Sequence, residues 1–317
     1  MSSIRYFEEP TLRNPIAIVA FSGWNDAAES ATTVMNHLIN LWAPTKIAEI
    51  ENEDFFVYTE TRPTLKYVER GRREVIWPTH RFLVHRDPER DRDIILFLGP
   101  EPQLKWKTFS KAFLEVCHHF HVSEIVFLGA LLADIPHSIN VPVTGSSEDA
   151  AIQQRLRSFD LPASDYEGPT GIVGVLHEAC QQENIDAVSF WAAAPNYLDT
   201  APNIKVAAAL LTYLNRYLEL DLNLSVVYAE AERFEQQVTE MVESDPEASE
   251  YVRQLEEQMD EDEEEDTISI SFKPDFLEES SPLPQADLII REIEELLRKE
   301  REKKPQKHYD DDEKDCE

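Results

Sequence analysis

Four short stretches of this sequence carry side chains whose types and spacing could do chemistry. In the first, Gly23, Trp24, Asn25 and Asp26 follow the apolar run Ile16–Phe21 and precede a helical pattern opening on Ala27-Ala28-Glu29. A glycine turn between a buried strand and a helix N-terminus is where open α/β sheets hold ligands. Trp24 offers a stacking face and Asp26 a carboxylate, a pair suited to a nucleoside-like or other cyclic ligand. Asp26 with Glu29 equally fits a capping box, in which the acid satisfies helix donors, and an acid at that cap repels phosphate. Asp134 and His137 form the second stretch, in a loop that leaves the apolar run Glu124–Gly129. An imidazole there could move a proton; bonding to local backbone is its plainer use. Glu167, Gly168 and Thr170 make the third, a loop that lacks the lysine and spacing of a phosphate loop and whose simpler purpose is to start a helix at Ile172. Pro195 and Asn196, at the end of the run Ala187–Ala193, are the fourth. If the chain is an enzyme or ligand sensor, Trp24, Asp26, His137, Glu167 and Asn196 are expected to converge on one cleft.

Other chemistries find no pattern. His118, His119 and His121 have no local carboxylate to complete a metal site, so no metal is assigned. No G-x-S-x-G elbow and no G-x-G-x-x-G fingerprint occurs among the 8 glycines, so neither a hydrolase triad nor a dinucleotide cofactor is assigned. The 3 cysteines, Cys117, Cys180 and Cys316, have neither metal nor redox spacing. No catalytic residue and no cofactor is therefore named.

The elements that must position these residues follow from periodicity. Ile16–Phe21, Asp93–Gly99, Glu124–Gly129 and Ala187–Ala193 are short, continuously apolar runs, as suits strands buried on both faces. Lys46–Ile50 adds a strand, Phe55–Tyr58 is either a short strand or a buried loop, and Glu74–Trp77 with Arg81–His85 is expected to form an edge hairpin across Pro78-Thr79-His80. Helical spacing marks Ala28–Leu41, Trp106–Cys117, Glu148–Phe159, Ile172–Glu183 and Asn203–Leu220. The fold class expected is α/β: a mostly parallel sheet flanked by helices. Glu230–Val242 and Pro246–Met259 read as an amphipathic helical hairpin. Asp260–Asp266, seven consecutive acids, reads as a solvated tether. Beyond it, Thr267–Phe272 could pair with a sheet edge, Leu283–Arg301 has helical spacing, and the last residues lack the apolar content to order themselves. The division expected is a core over 1–228, a hairpin extension over 229–262, and an acidic tether with a terminal helix over 263–317.

The charge is uneven. Of the formal net charge of −32, residues 230–317 hold 32 acids against 11 bases. Such a surface repels phosphate backbones, which disfavours nucleic acid as a partner. No apolar stretch reaches membrane-spanning length and the N-terminus has no signal-peptide pattern, so a soluble cytoplasmic protein that engages no membrane is expected.

Five motifs recur together in order: SGWNDAAESA, DIPHS, YEGPTGIVGVLHEAC, FWAAAPNYLDTAPN with its AAALLTYL helix, and DPEASEYVRQLEEQMD. From Phe7 to Asp262 the chain resembles the proteasome-assembly-chaperone-2-like family, and more closely its bacterial branch. The resemblance implies a phosphorylase/hydrolase-like α/β fold, similar in architecture to purine nucleoside phosphorylases, and self-association as a homo-oligomer, with a trimer favoured. It also implies a protein partner, proteasome-related in eukaryotic and archaeal members, which scaffold proteasome subunits rather than act as enzymes. Many such scaffolds end in a hydrophobic-Tyr-any tripeptide. This chain ends Asp315-Cys316-Glu317 and its similar triplet, His308-Tyr309-Asp310, is internal, which speaks against direct proteasome docking. The favoured expectation is a non-catalytic assembly or interaction protein. The alternative is an enzyme or ligand sensor using a nucleoside-phosphorylase-like cleft.

Overall fold

The computed structural model of the chain describes residues 4–51, 53–68, 71–163, 166–198 and 202–264, with side chains as far as residue 259. The strands are β1 (Ile4–Tyr6), β2 (Ile16–Ser22), β3 (Thr45–Ile50), β4 (Thr64–Tyr67), β5 (Arg73–Ile76), β6 (His80–His85), β7 (Ile94–Pro100), β8 (Glu124–Ala133), β9 (Val143–Ser146) and β10 (Asp186–Pro195). The helices are α1 (Ser30–Trp42), α2 (Trp106–His119), α3 (Ala150–Arg157), α4 (Ile172–Gln182), α5 (Ile204–Leu218), α6 (Ser225–Ser244) and α7 (Pro246–Glu264).

Eight strands form one sheet in the order β1-β3-β6-β7-β2-β8-β10-β9. The four apolar runs, β7, β2, β8 and β10, are its parallel centre, joined by helical crossovers. Outward on both sides the pairing turns antiparallel. The period of two along β2 sorts its side chains: Ile16, Ile18 and Ala20 face one core, with α1 and α5. Ala17, Val19 and Phe21 face the other, with α2 and α4. A strand covered on both faces needs apolar residues at every position, which is why these runs show no alternation.

The region before β6 departs from expectation. Glu74 and its neighbours do not pair with Arg81–His85; β5 pairs with β4, Tyr67 opposite Arg73 and Thr64 opposite Ile76. His80–His85 is an interior strand between β3 and β7. Its inward residues Phe82 and Val84 fill the core beside Phe97 and Phe113, whereas every residue of β4 and β5 is exposed, so burial pulled β6 away from its sequence neighbour. Phe55 ends a short 3-10 turn, Glu53–Phe55, and Phe56 is buried in the loop after it.

The C-terminal helices are longer than expected. α6 begins at Ser225, and the turn to α7 is a single residue, Asp245, whose carboxylate accepts from the N–H groups of Glu247 and Ala248. α7 continues as far as Glu264, so the first five acids of the run from Asp260 are helical rather than a tether. The expected strand Thr267–Phe272, the helix Leu283–Arg301 and the C-terminal end lie outside the described residues.

Candidate functional site

The crevice that matters in an open α/β sheet lies beyond the carboxyl ends of the central strands. Here it is built from the turn after β2, the loop after β7, the start of α4, and the loops after β8 and β10.

After β2 the chain reverses at Gly23, whose φ of 117° is a conformation that disfavours a side chain. Gly23 is exposed and Trp24 half-buried, while Asn25 and Asp26 turn inward with 0% and 6% exposure. The next three residues form a 3-10 turn in which Ala28 and Glu29 are left-handed, and α1 starts only at Ser30. Asp26 caps that helix over a longer reach than a box would need. Its Oδ1 accepts from the N–H of Ala31 (2.7 Å) and Thr32 (3.1 Å), and its Oδ2 from the Thr32 hydroxyl. The Glu29 side chain is exposed and does not cap. Burial raises the Asp26 carboxyl to about 6, against the pull of those three donors.

Asn25 faces the α4 side of the sheet. Its backbone carbonyl accepts from Ala130, and its Nδ2 donates to Oε1 of Glu101 at 2.8 Å. The same Oε1 accepts the N–H of Ile172, also at 2.8 Å, at the first turn of α4. A helix N-terminus with free N–H groups is a ready anion site. In this protein an internal carboxylate occupies it. Gly171, the residue before α4, packs so closely on Asn25 that a Cβ there would lie 2.2 Å from Oδ1. Thr170, exposed just before it, hydrogen-bonds weakly to the Gly171 carbonyl. Glu167 and Gly168 lie exposed on a turn closed by the Tyr166 hydroxyl on the Pro169 carbonyl.

The loops after β8 and β10 are held elsewhere. Asn196 donates to Asp134, and the Tyr251 hydroxyl of α7 reaches Asn196 Oδ1 at 3.3 Å. His137 is 6% exposed. Its Nδ1 lies 2.8 Å from the Tyr197 hydroxyl and its Nε2 3.1 Å from the Thr239 hydroxyl of α6. The Tyr197 oxygen also takes the His137 N–H, and Lys205 donates to the His137 carbonyl while pairing with Glu235 at 3.0 Å. Burial, then the Lys205 charge, lowers the His137 pKa. Around these bonds Tyr197, Leu198, Val238, Val242, Ala248, Val252 and Leu255 form a cluster of their own. Pro195 lines a narrow crevice beside His137 and Phe234 under the same hairpin. The two C-terminal helices thus close over the ends of β8 and β10.

The candidate residues therefore fall into separate groups. Asn25 and Thr170 gather at the start of α4, Asp26 sits under α1, and His137, Pro195 and Asn196 lie beneath α6 and α7, with the exposed Asp134 bonded to Asn196. Glu101, which ties the turn after β2, the loop after β7 and the start of α4 together, stands in no motif of the sequence. The trace that pointed to it is its position directly after an apolar strand. His118 and His119 face different carboxylates, Glu183 at 3.7 Å and Glu9 at 3.4 Å. No helix among the described residues is long and apolar enough to cross a membrane.

Fold and site together define a three-layer α/β protein whose strand-end crevice is filled from within by an internal acid and a helical hairpin. Residues 20–242 match the sequence profile of the PAC2 family, and the chain belongs to that family. It is similar to the Mycobacterium tuberculosis proteasome-assembly chaperone homologue Rv2125, with 41% identity over 75% of this chain and 99% of that one, at a TM-score of 0.67. A PAC2 family protein from Streptomyces avermitilis shares 38% identity over 75% of this chain and 99% of its own, at 0.68. The fold extends to PbaB of Pyrococcus furiosus, an archaeal proteasome activator, at 17% identity, 75% and 97% coverage and a TM-score of 0.60. No curated protein matches the chain.

Proposed function

We propose that this protein is a non-catalytic, assembly-chaperone-like interaction protein that self-associates, with three copies favoured, and engages a protein partner in the cytoplasm. The observation that carries the reading is Glu101. A helix N-terminus beside the strand ends is where this kind of sheet could hold an anion, and here Glu101 spans Ile172 and Asn25 at that point. Of the polar residues in the neighbouring loops, His137 reaches Thr239 of α6 and Asn196 accepts from Tyr251 of α7, while Asp134 accepts from Asn196. Fold similarity to enzymes supplies no activity where the site chemistry is committed to structure. The relatedness to a proteasome-assembly chaperone homologue supports a partner that is itself a multi-subunit assembly.

The test is affinity purification of the tagged full-length chain from its own cells. Co-purifying proteins and small molecules released on denaturation are then identified by mass spectrometry. Stoichiometric recovery of a multi-subunit assembly is the expected outcome. Recovery of the chain alone with a bound metabolite would overturn the reading in favour of a ligand cleft.

A further inference from the structure

Among the described residues, β4 and β5 pair only with each other. A ribbon of two strands is marginal in water and gains stability from a third strand or a covered face. This one presents apolar side chains to solvent: Leu65 is 55% accessible, Tyr67 67% and Trp77 52%, with Val75 also exposed. The register sets Leu65 opposite Val75 and Tyr67 opposite Arg73, so these share one face, while Thr64, Lys66, Glu74 and Ile76 share the other. Cations stand on both faces: Arg73 lies over the Tyr67 ring, and Lys66 and Arg72 are on the side of Glu74. Residues 62–77 hold Arg62, Lys66, Arg70, Arg72 and Arg73 against Glu69 and Glu74, in a protein of net charge −32. An open strand edge beside an exposed apolar face is a template for another strand, and here the charge favours an acidic one.

The chain carries a segment of that description just beyond α7. In Thr267–Phe272, Ile268, Ile270 and Phe272 alternate with Thr267, Ser269 and Ser271, as Leu65 and Tyr67 alternate with Thr64 and Lys66. Acids surround it: residues 260–280 hold ten acids and one base, Lys273. The chain also leaves the fold at the right end of the sheet. Met259 of α7 packs on Ala133, Ile135 and Ala193, at the carboxyl ends of β8 and β10. The ribbon stands on the same rim, because His80, which follows it, pairs with Ile50 and meets the Pro100 carbonyl at the end of β7 at 2.7 Å. From β8 to β6 is three strand spacings, roughly 14 Å. The residues from Glu264 to Ile270 extend about 20 Å, so the ribbon is within reach. The other edges are less suited. At β9 the Gly145 N–H already donates to the Pro162 carbonyl, and β1 lies two strands beyond β6.

We infer that Thr267–Phe272 adds to the β4–β5 ribbon of its own chain as a third strand. Ile268, Ile270 and Phe272 continue the face of Leu65, Tyr67 and Val75, and the acids before Thr267 lie against the ribbon's cations. The added strand covers an edge that would otherwise pair between chains. The inference goes beyond the proposed function, which stands or falls on its partner alone.

The experiment is amide hydrogen exchange read by mass spectrometry on three full-length proteins: the native chain, Ile268→Asp with Ile270→Asp, and Leu65→Ser with Val75→Ser. Leu65 and Val75 are exposed, and unchanged exchange in α1 and α2 shows that each variant is folded. In the native chain, residues 64–67 and 267–272 are expected to exchange at least about tenfold more slowly than unstructured peptide. The isoleucine pair should release the ribbon and the ribbon pair should release 267–272, each by about tenfold or more. Dilution of the native protein by about a hundredfold should leave the protection unchanged, as a contact within one chain requires. Exchange of 267–272 at the unstructured rate in the native chain overturns the inference, as does a ribbon indifferent to the isoleucine pair or a segment indifferent to the ribbon pair. Release of Ile4–Tyr6 in place of the ribbon would assign the segment to β1, and protection lost on dilution would assign it to a second copy; either result also overturns the inference.

Discussion

Asn25 donates its side-chain N–H to Glu101 at 2.8 Å, across 76 residues of sequence, and the carboxylate so held caps α4. One acid thus joins the turn after β2, the loop after β7 and the helix that leads to β10. Replacing it by alanine leaves the Asn25 amide and the Ile172 N–H without their acceptor. The expected cost is about 1–3 kcal/mol, with Glu101→Gln costing less, read from urea unfolding. The alanine variant also vacates the helix N-terminus. Sulfate or phosphate should then raise its melting temperature more than that of the native chain, and equal shifts would show that the site does not accept anions.

Gly171 meets Asn25 at a separation no side chain tolerates, since a Cβ would fall 2.2 Å from Oδ1. Gly171→Ala should destabilise by about 1–3 kcal/mol, because Asn25 is fully buried and tied to Glu101. Adding Asn25→Ala removes the obstacle, so the double variant should cost less than the sum of the single ones. Full additivity in denaturation would refute the contact.

His137 fastens α6 to the sheet, and its pKa is lowered by burial and by Lys205. A histidine whose folded pKa is depressed contributes stability above its unfolded value, near 6.5, and loses it as the pH falls. Lys205 from α5 opposes protonation while Glu235 of α6 and Glu256 of α7 favour it. The protection of amides in α6 and α7, relative to the intrinsic exchange rate at each pH, should fall from pH 7.5 to 5.5 more than in α1 or α2. His137→Phe removes the titration together with both hydrogen bonds. Its exchange should be fast in these helices at either pH.

Asp26 titrates in the opposite sense. Burial raises its carboxyl to about 6, so folding favours the proton. Its contribution is fully present below the unfolded value near 3.9 and disappears as the pH rises through about 6. The shift of roughly two units corresponds to about 3 kcal/mol at most. Asp26→Asn keeps an oxygen for the Ala31 and Thr32 donors and removes the charge. The difference in stability between variant and native chain should change between pH 4 and 6.5 and be flat above it; a flat difference throughout would place the native carboxyl in its ordinary range.

The amino-acid sequence alone determined the parallel centre of the sheet, the helices beside it and the family. Continuous apolar runs such as Ile16–Phe21 and Glu124–Gly129 have one good solution, burial on both faces, and helical spacing in Asn203–Leu220 has another; both are local properties of the chain. It likewise marked the turn at Gly23 and the paired C-terminal helices. The tertiary structure decided what depends on partners distant in sequence. β6 went to the interior because Phe82 and Val84 found a core there, leaving β5 to β4. Asp26 reached past Glu29 because two left-handed residues lifted the start of α1 over it. His137 became a fastener only when Thr239, 102 residues onward, arrived beside it. Glu101 became the centre of the crevice when the start of α4 was laid against β2. Periodicity reports which face of an element is apolar, but the acceptor that meets a given donor is set by the packing of whole elements.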